Sequence, residues 1–187
     1  MNPSVSADII IAQTKEWLEK AVIGLNLCPF AKSVYQKKQI RFVVSSSSTE
    51  EALLADLKLE LQKLADTEAS EIDTTLLIHP YVFGDFLDYN DFLGQADRVV
   101  KKMKLDDEIQ IASFHPEYQF AGTDKEDVTN LTNRSPYQLL HLLREESVSK
   151  AVDSFPNVDQ IPEKNMETLR KLGFEGWKKL GIPSRTK

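Results

Sequence analysis

Apolar residues recur along the chain with two different spacings. Three short runs at 40–44, 74–78 and 109–114 are rich in β-branched and aromatic side chains and predict strands. Between the runs, apolar residues recur every three or four positions, which is typical of amphipathic helices. The first helix between strands has a stripe of four leucines, at Leu53, Leu57, Leu61 and Leu64. This alternation of strands and helices predicts an α/β fold.

Helices separate the three predicted strands, so the connections should be right-handed crossovers in a small, mostly parallel sheet. Helices would cover this sheet in two or three layers, with 74–78 as its central strand. A further helix is predicted over 135–152, because Ser135-Pro136 has the composition of a helix start. A ferredoxin-like α+β arrangement is the alternative, since three strands are few for a doubly wound sheet. No glycine- or serine-rich linker divides the chain, and we expect one domain over 1–187.

Polar residues mark several helix ends. Ser6, Thr49 and either Asp85 or Asp88 precede apolar periodic segments and are expected to be N-caps. The last helical stretch should be interrupted near Gly173. These signals locate the helices without saying which face of the sheet each one covers.

The composition is that of an acidic globular protein. The 187 residues include 23 basic and 29 acidic side chains, a net charge of −6, and 41% are hydrophobic. This balance argues against nucleic acid or an anionic membrane as a partner. The acidity is concentrated in residues 65–127, with 15 acidic and 5 basic side chains. The lone Cys28, with no signal-peptide pattern and no apolar run of about 20 residues, predicts a cytoplasmic protein.

Two of the three histidines follow predicted strands in the same dipeptide. His79-Pro80 ends the second strand, and His115-Pro116 ends the third. If these strands are adjacent and parallel, both imidazoles lie at one rim of the sheet, where α/β proteins bind ligands. A proline that stops a strand beside an ordinary hydrogen-bonded histidine is the structural alternative. The repetition favours a functional site.

Cys28 and His141 are further candidates for chemistry at this rim. Cys28 is either a small buried hydrophobic residue or a thiolate nucleophile, with His115 as its general base and His79 nearby. Alternatively, His79, His115 and His141 could hold a transition metal such as zinc, which would activate water. His141 could instead be a surface residue paired with Glu145 along the predicted helix.

The segment before the predicted helix at 135 resembles an anion site. Helix N-termini offer unpaired N–H groups, and Arg134 beside one would complement a carboxylate or phosphate. Asn133 and Ser135 would contribute to this site, and Tyr118, in the aromatic loop after His115, would shape the pocket. Plain capping by Ser135 with a surface arginine is the alternative.

Three aspartates, Asp85, Asp88 and Asp91, recur at every third residue after His79. Their position favours caps and dipole partners at a helix start. Oxygen ligation of a cation near His79 is the alternative.

Several long segments resemble one known family. They are LNLCPFA (25–31), TLLIHP (75–80), DFLDYNDFL (85–93), ASFHPEYQFAGT (112–123) and DVTNLTNRSPYQLLHLLREESV (127–148). The family is bacterial with plant relatives, and is catalogued as a domain of unknown function numbered fourteen-fifteen. Gln138 departs from the family's Ser-Pro-Tyr-Pro pattern, which should be harmless in a first helical turn. The resemblance implies no activity and assigns no catalytic residue.

Together these features favour an enzyme that acts on a small anionic metabolite at a His-Pro-lined cleft. A non-catalytic module that binds a nucleotide or another phosphorylated ligand is the alternative. An interaction protein, with its acidic middle segment facing a basic partner, is a third hypothesis.

Overall fold

The computed structural model describes residues 5–155 and 157–183, and the predicted boundaries of 1–187 extend beyond them. Its four strands are β1 (Ile40–Val44), β2 (Thr74–Ile78), β3 (Ile109–Phe114) and β4 (Leu139–Arg144). The sheet order is β1-β2-β4-β3, with β1 and β2 parallel and β4 antiparallel to both of its neighbours. The first three strands confirm the predicted ones. The sheet is mixed, so the prediction of a mostly parallel sheet is only partly correct.

The prediction of a helix over 135–152 is wrong for its first half, because β4 occupies that segment. Leu140 and Leu142 face one core and Leu139 faces the other, all with no exposed surface. A short apolar run that is buried on both faces has no periodicity that separates strand from helix. The chain order is therefore β-α-β-α-β-β, which also differs from the ferredoxin-like alternative.

Six helices accompany the sheet within the described residues. They are α1 (Ala7–Trp17, continued by a π-helical turn over Leu18–Ile23), α2 (Ala31–Gln36), α3 (Glu50–Asp66), α4 (Phe86–Lys102), α5 (Glu145–Ser154) and α6 (Ile161–Lys179). Ser6, Thr49 and Asp85 accept hydrogen bonds as N-caps, as predicted. Gly173 interrupts α6 with a φ of 63°. None of the helices in the described part of the chain is long and apolar enough to cross a membrane.

The alternation of side chains along the strands divides the core between two faces of the sheet. The α3/α4 face buries Leu77, Leu140 and Leu142 against α3 and α4. The α1 face buries Leu76, Ile78 and Leu139 against α1 and its π-helical turn. Helices therefore cover both faces, which is the three-layer form of the predicted α/β fold.

Candidate functional site

His79 and His115 lie at the same rim of the sheet, but their strands are not adjacent. β2 and β3 run in the same direction, and the antiparallel β4 lies between them. Each histidine follows a residue that faces α1, so the alternation turns both imidazoles toward α4. There the ring of Tyr89 lies between them, with centroids 5.6 Å from His79 and 5.2 Å from His115.

His115 is held at both ring nitrogens by the backbone. Its Nδ1 accepts the N–H of Glu117 at 3.0 Å, and its Nε2 lies 3.1 Å from the carbonyl oxygen of Phe83. This pattern assigns the proton to Nε2, which donates to Phe83. Burial lowers the pKa of His115, so the ring is neutral near pH 7. His115 is therefore an ordinary hydrogen-bonded histidine at a strand end, the alternative to a functional role. Neither of its nitrogens is available to accept a proton from a substrate.

His79 has the opposite environment. Its side chain has no exposed surface, and neither Nδ1 nor Nε2 makes a hydrogen bond within the described residues. Burial lowers its pKa to about 3, although backbone groups of Val82 and of His79 itself lie near enough to favour the protonated ring. A neutral imidazole presents one N–H donor and one acceptor nitrogen. Buried polar atoms without hydrogen-bond partners are uncommon in proteins, which makes His79 a candidate for contact with a ligand or water.

His141 lies on the α1 face of the sheet, away from the other two histidines. Its Nε2 is 2.7 Å from Oγ1 of Thr74, which itself donates to the carbonyl oxygen of Leu142. Although the residue keeps some exposed surface, burial of its ring lowers the pKa to about 4. The predicted surface pair with Glu145 is wrong, because His141 belongs to a central strand. The three histidines do not converge, and no group of three or more His, Cys, Asp or Glu side chains in the described ranges is arranged to hold a metal ion.

Cys28 also lies on the α1 face, packed at the edge of the cluster that contains Trp17 and Leu76. Burial raises the pKa of its thiol, opposed by the backbone N–H groups of Phe30 and Ala31. A raised pKa disfavours the thiolate at neutral pH. Because His115 faces α4 across the sheet, the two residues do not form the predicted nucleophile and general base pair.

The predicted anion site is not formed, because no helix starts at Ser135. Ser135 Oγ donates to the carbonyl oxygen of Tyr137, and the chain then enters β4. Arg134 donates from Nε to the Tyr118 carbonyl at 3.0 Å and from Nη2 to the Lys125 carbonyl at 2.7 Å. Burial lowers the pKa of Arg134, which leaves the guanidinium charged. These bonds hold the loop after β3 in place.

Asn133 and Tyr118 complete the arrangement of that loop. Asn133 Nδ2 donates to the Ser113 carbonyl at 3.1 Å, and the Asn133 carbonyl accepts the N–H of His115. The Tyr118 ring packs against Phe86 with centroids 5.0 Å apart. The predicted substrate-binding residues therefore lie beside the rim, where their contacts join the loop to β3 and α4.

An open cleft of about 400 Å³ lies beside the end of β2, between the start of α3 and the first half of α4. We call it the strand-end cleft. It is lined by Glu50, Phe83, Gly84, Asp88, Asp91, Phe92 and Gln95. The rings of Phe83 and Phe92 are stacked with centroids 4.4 Å apart. The cleft thus combines three carboxylates with the half-buried ring of Phe83, behind which Phe92 is buried.

Phe83 connects the strand-end cleft with His79. Its ring meets that of His79 nearly perpendicularly, with centroids 6.4 Å apart. Its backbone is left-handed, with a φ of 59°, which is rare for a bulky residue. The Phe83 carbonyl accepts hydrogen bonds from His115 and, at 3.0 Å, from Nε2 of Gln138. These two bonds stabilise the strained conformation.

Gln138 is buried immediately before β4, not in the first turn of a helix as expected. Its Oε1 has no hydrogen-bond partner among the described residues. Its Nε2 lies 3.8 Å from the place that a Cβ on Gly84 would occupy, directly behind the wall of the strand-end cleft. Sequence reasoning missed Gln138 and Phe83, and no local signal distinguishes either one.

Two of the three aspartates singled out in the sequence do line the strand-end cleft. Asp85 accepts the N–H groups of Leu87 and Asp88 as the N-cap of α4, which confirms the capping interpretation. Asp88 and Asp91, one turn apart, lie along the cleft. Their i, i+3 spacing is the only feature of the sequence that indicated an acidic surface here, because residues three apart lie on the same side of a helix.

The fold and the cleft define a mixed α/β protein with an acidic, aromatic-lined cleft beside its strand ends. The chain belongs to the family described as "Protein of unknown function (DUF1415)", whose model matches residues 9–179. This match confirms the resemblance found in the sequence. No curated protein and no solved structure matches the chain.

Proposed function

We propose that the protein binds a small organic cation in the strand-end cleft. The observation that carries the proposal is the presence of Glu50, Asp88 and Asp91 in one cleft with the stacked rings of Phe83 and Phe92. The carboxylates attract an amine or guanidinium group, and the accessible part of the Phe83 ring favours both the charge and an adjoining apolar part. The volume of about 400 Å³ suits a small molecule.

The proposal keeps the strand-end location expected from the sequence and reverses the expected charge of the ligand. An anionic metabolite would be repelled by three carboxylates. Arg134, the residue expected to hold an anion, directs its Nε and Nη2 to backbone carbonyls. The favoured ligand is therefore cationic.

Binding is supported better than hydrolysis. Cys28 and His115 pack on opposite sides of the sheet, and the nitrogens of His115 are engaged by the backbone. Nucleophilic catalysis needs a nucleophile and a base within hydrogen-bond reach. The cleft residues supply charge and aromatic surface for recognition, and a reaction would need groups from the ligand or from a bound cofactor.

Titration calorimetry with three benzene derivatives tests the proposal. Benzylamine, benzyl alcohol and benzoate share a ring and differ in charge. We expect benzylamine to bind with a Kd of about 1 mM, and the alcohol and the acid to bind at least about tenfold more weakly. Binding should weaken with added salt, because exposed charges are screened.

Matched variants locate the interaction in the cleft. Asp91→Asn should weaken benzylamine binding by about two- to fivefold, the scale of an exposed ion pair. Asp97→Asn is the control, since Asp97 is an exposed aspartate of the same helix that does not line the cleft. Equal effects of the two substitutions, or tighter binding of benzoate than of benzylamine, would show that the proposal is wrong.

A further inference from the structure

Two buried side chains behind the strand-end cleft have hydrogen-bonding atoms without partners. They are His79, whose ring nitrogens make no hydrogen bond within the described residues although backbone groups of Val82 lie nearby, and Gln138, whose Oε1 makes none. Their exposed fractions are 0% and 2%. A buried polar group that makes no hydrogen bond destabilises the fold, so its presence calls for a physical reason. We call these atoms the inner polar groups.

Phe83 and Gly84 separate the inner polar groups from the cleft. The Phe83 ring contacts His79 on one side and lines the cleft on the other, and Gly84 lies in front of the Gln138 amide. The Phe83 backbone is held by two hydrogen bonds to its carbonyl, whereas its side chain is only half-buried. The Phe83 side chain therefore lies between the cleft and His79, and it would have to turn aside for a ligand in the cleft to reach the inner polar groups.

The inner polar groups specify a hydrogen-bonding pattern. Gln138 Oε1 is an acceptor, since its Nε2 already donates to Phe83. A neutral His79 adds one acceptor and one donor. A ligand that fits this pattern offers at least two N–H donors, and the ring of Tyr89, which stacks on His79, favours a planar one.

We propose that His79 and Gln138 form an inner recognition site, where a planar, amino-substituted nitrogen heterocycle binds once the Phe83 side chain turns aside. The inference rests on the proposed function, because the carboxylates of the strand-end cleft attract the cation to Phe83. It adds the chemical class of the ligand and the residues that select it. Specificity of this kind arises because a ligand without the N–H groups leaves the inner polar groups unpaired.

Calorimetry with 2-aminobenzimidazole and benzylamine tests the selection. The first is a planar heterocycle with an exocyclic amine and ring N–H groups, and the second is a cation without them. We expect the wild-type protein to bind 2-aminobenzimidazole about tenfold more tightly, the effect of one well-formed hydrogen bond. His79→Phe and Gln138→Met should each reduce this preference at least about threefold. Because both residues also contact Phe83, the preference is measured in each variant as the ratio of the two affinities. Gln62→Met, on the exposed side of α3, should change neither.

The outcomes separate the two proposals. If both compounds bind with equal affinity, and the variants change neither, the inner polar groups contact water only and the inference is wrong while the proposed function stands. If neither compound binds the wild-type protein, the proposed function fails as well. Retained benzylamine binding in each variant shows that the variant is folded.

Chemical labelling tests the access through Phe83 without any ligand. Diethylpyrocarbonate acylates accessible, neutral imidazoles, and mass spectrometry locates the product. Phe83→Ala should raise the labelling rate of His79 by about tenfold or more, because the covering side chain is removed. His115 is the internal control, since its nitrogens remain hydrogen-bonded to the backbone. Equal acceleration at both histidines would indicate general loosening and overturn the proposed access route.

Discussion

At the scale of single residues, the two His-Pro dipeptides have different roles. His115 is a structural residue that joins the loop after β3 to the loop after β2 through Glu117 and Phe83. The His79 ring packs against the rings of Tyr89 and Phe83, and its nitrogens make no hydrogen bond in the described ranges. The same sequence signal thus marks a constraint on the fold in one case and a candidate recognition residue in the other.

The same substitution at the two histidines should therefore have different effects on stability. We expect His115→Phe to lower the free energy of unfolding by about 2 kcal/mol, because it leaves the Glu117 N–H without its acceptor and removes one donor from Phe83. His79→Phe should change it by less than about 1 kcal/mol, since no hydrogen bond is lost. Urea unfolding at pH 7.5 measures both values. Equal losses would contradict the distinction.

At the scale of elements, β4 is the segment that organises the rim. It pairs with β2 and β3, separates the two histidine-bearing strands, and places Gln138 behind the strand-end cleft. α5 follows β4 directly, yet none of its residues is buried. The boundary between the two elements should also be a boundary in local stability.

Hydrogen exchange followed by NMR tests this boundary. Amides of Leu140 and Leu142 should exchange only on global unfolding, because β4 is paired on both sides and packed on both faces. Amides of α5 should exchange at least about 100-fold faster, since the helix buries little apolar surface. Uniform protection across 139–154 would instead indicate one continuous, well-packed element.

The loop after β3 depends on Arg134. Arg134→Lys keeps the positive charge but cannot reach two carbonyls as a planar fork. We expect it to increase exchange in peptide 116–127 by about tenfold, close to the effect of Arg134→Met, because geometry and not charge fixes the loop. Arg98→Met, at an exposed position of α4, serves as the control. Full protection in Arg134→Lys would favour a role for the charge alone.

At the scale of the whole molecule, the histidines link folding to pH. Burial lowers the pKa of His79 to about 3 and that of His141 to about 4, and it also lowers the pKa of His115. In the unfolded chain these pKa values return to near 6.5. Above this value the imidazoles are neutral in both states. Below it the unfolded state binds more protons, so stability is lost as pH falls from about 6.5 toward 3 to 4.

His79→Phe isolates one part of this dependence. Between pH 7 and pH 5, the wild-type protein should lose about 2 kcal/mol more unfolding free energy than the variant, because each bound proton contributes about 1.4 kcal/mol per pH unit. Urea unfolding at both pH values gives the difference. The same loss in both proteins would show that His79 titrates normally in the folded state.

The sequence determined the elements whose evidence is local. Periodicity located β1, β2, β3 and the α3 stripe, and polar caps located three helix starts. The acidic character of the middle segment and the i, i+3 aspartates were also visible, since composition and spacing do not depend on the fold. The residues of the family resemblance were visible for the same reason.

The tertiary structure determined the features that depend on strand pairing. The run 139–144 became a strand because two neighbouring strands bond it and two cores bury it, and neither fact has a local signature. Because this strand lies between β2 and β3, His141 faces α1, and the strands that carry His79 and His115 are not adjacent. The same arrangement sets Gln138 behind Gly84, so the candidate site exists only because residues distant in sequence meet at the strand ends.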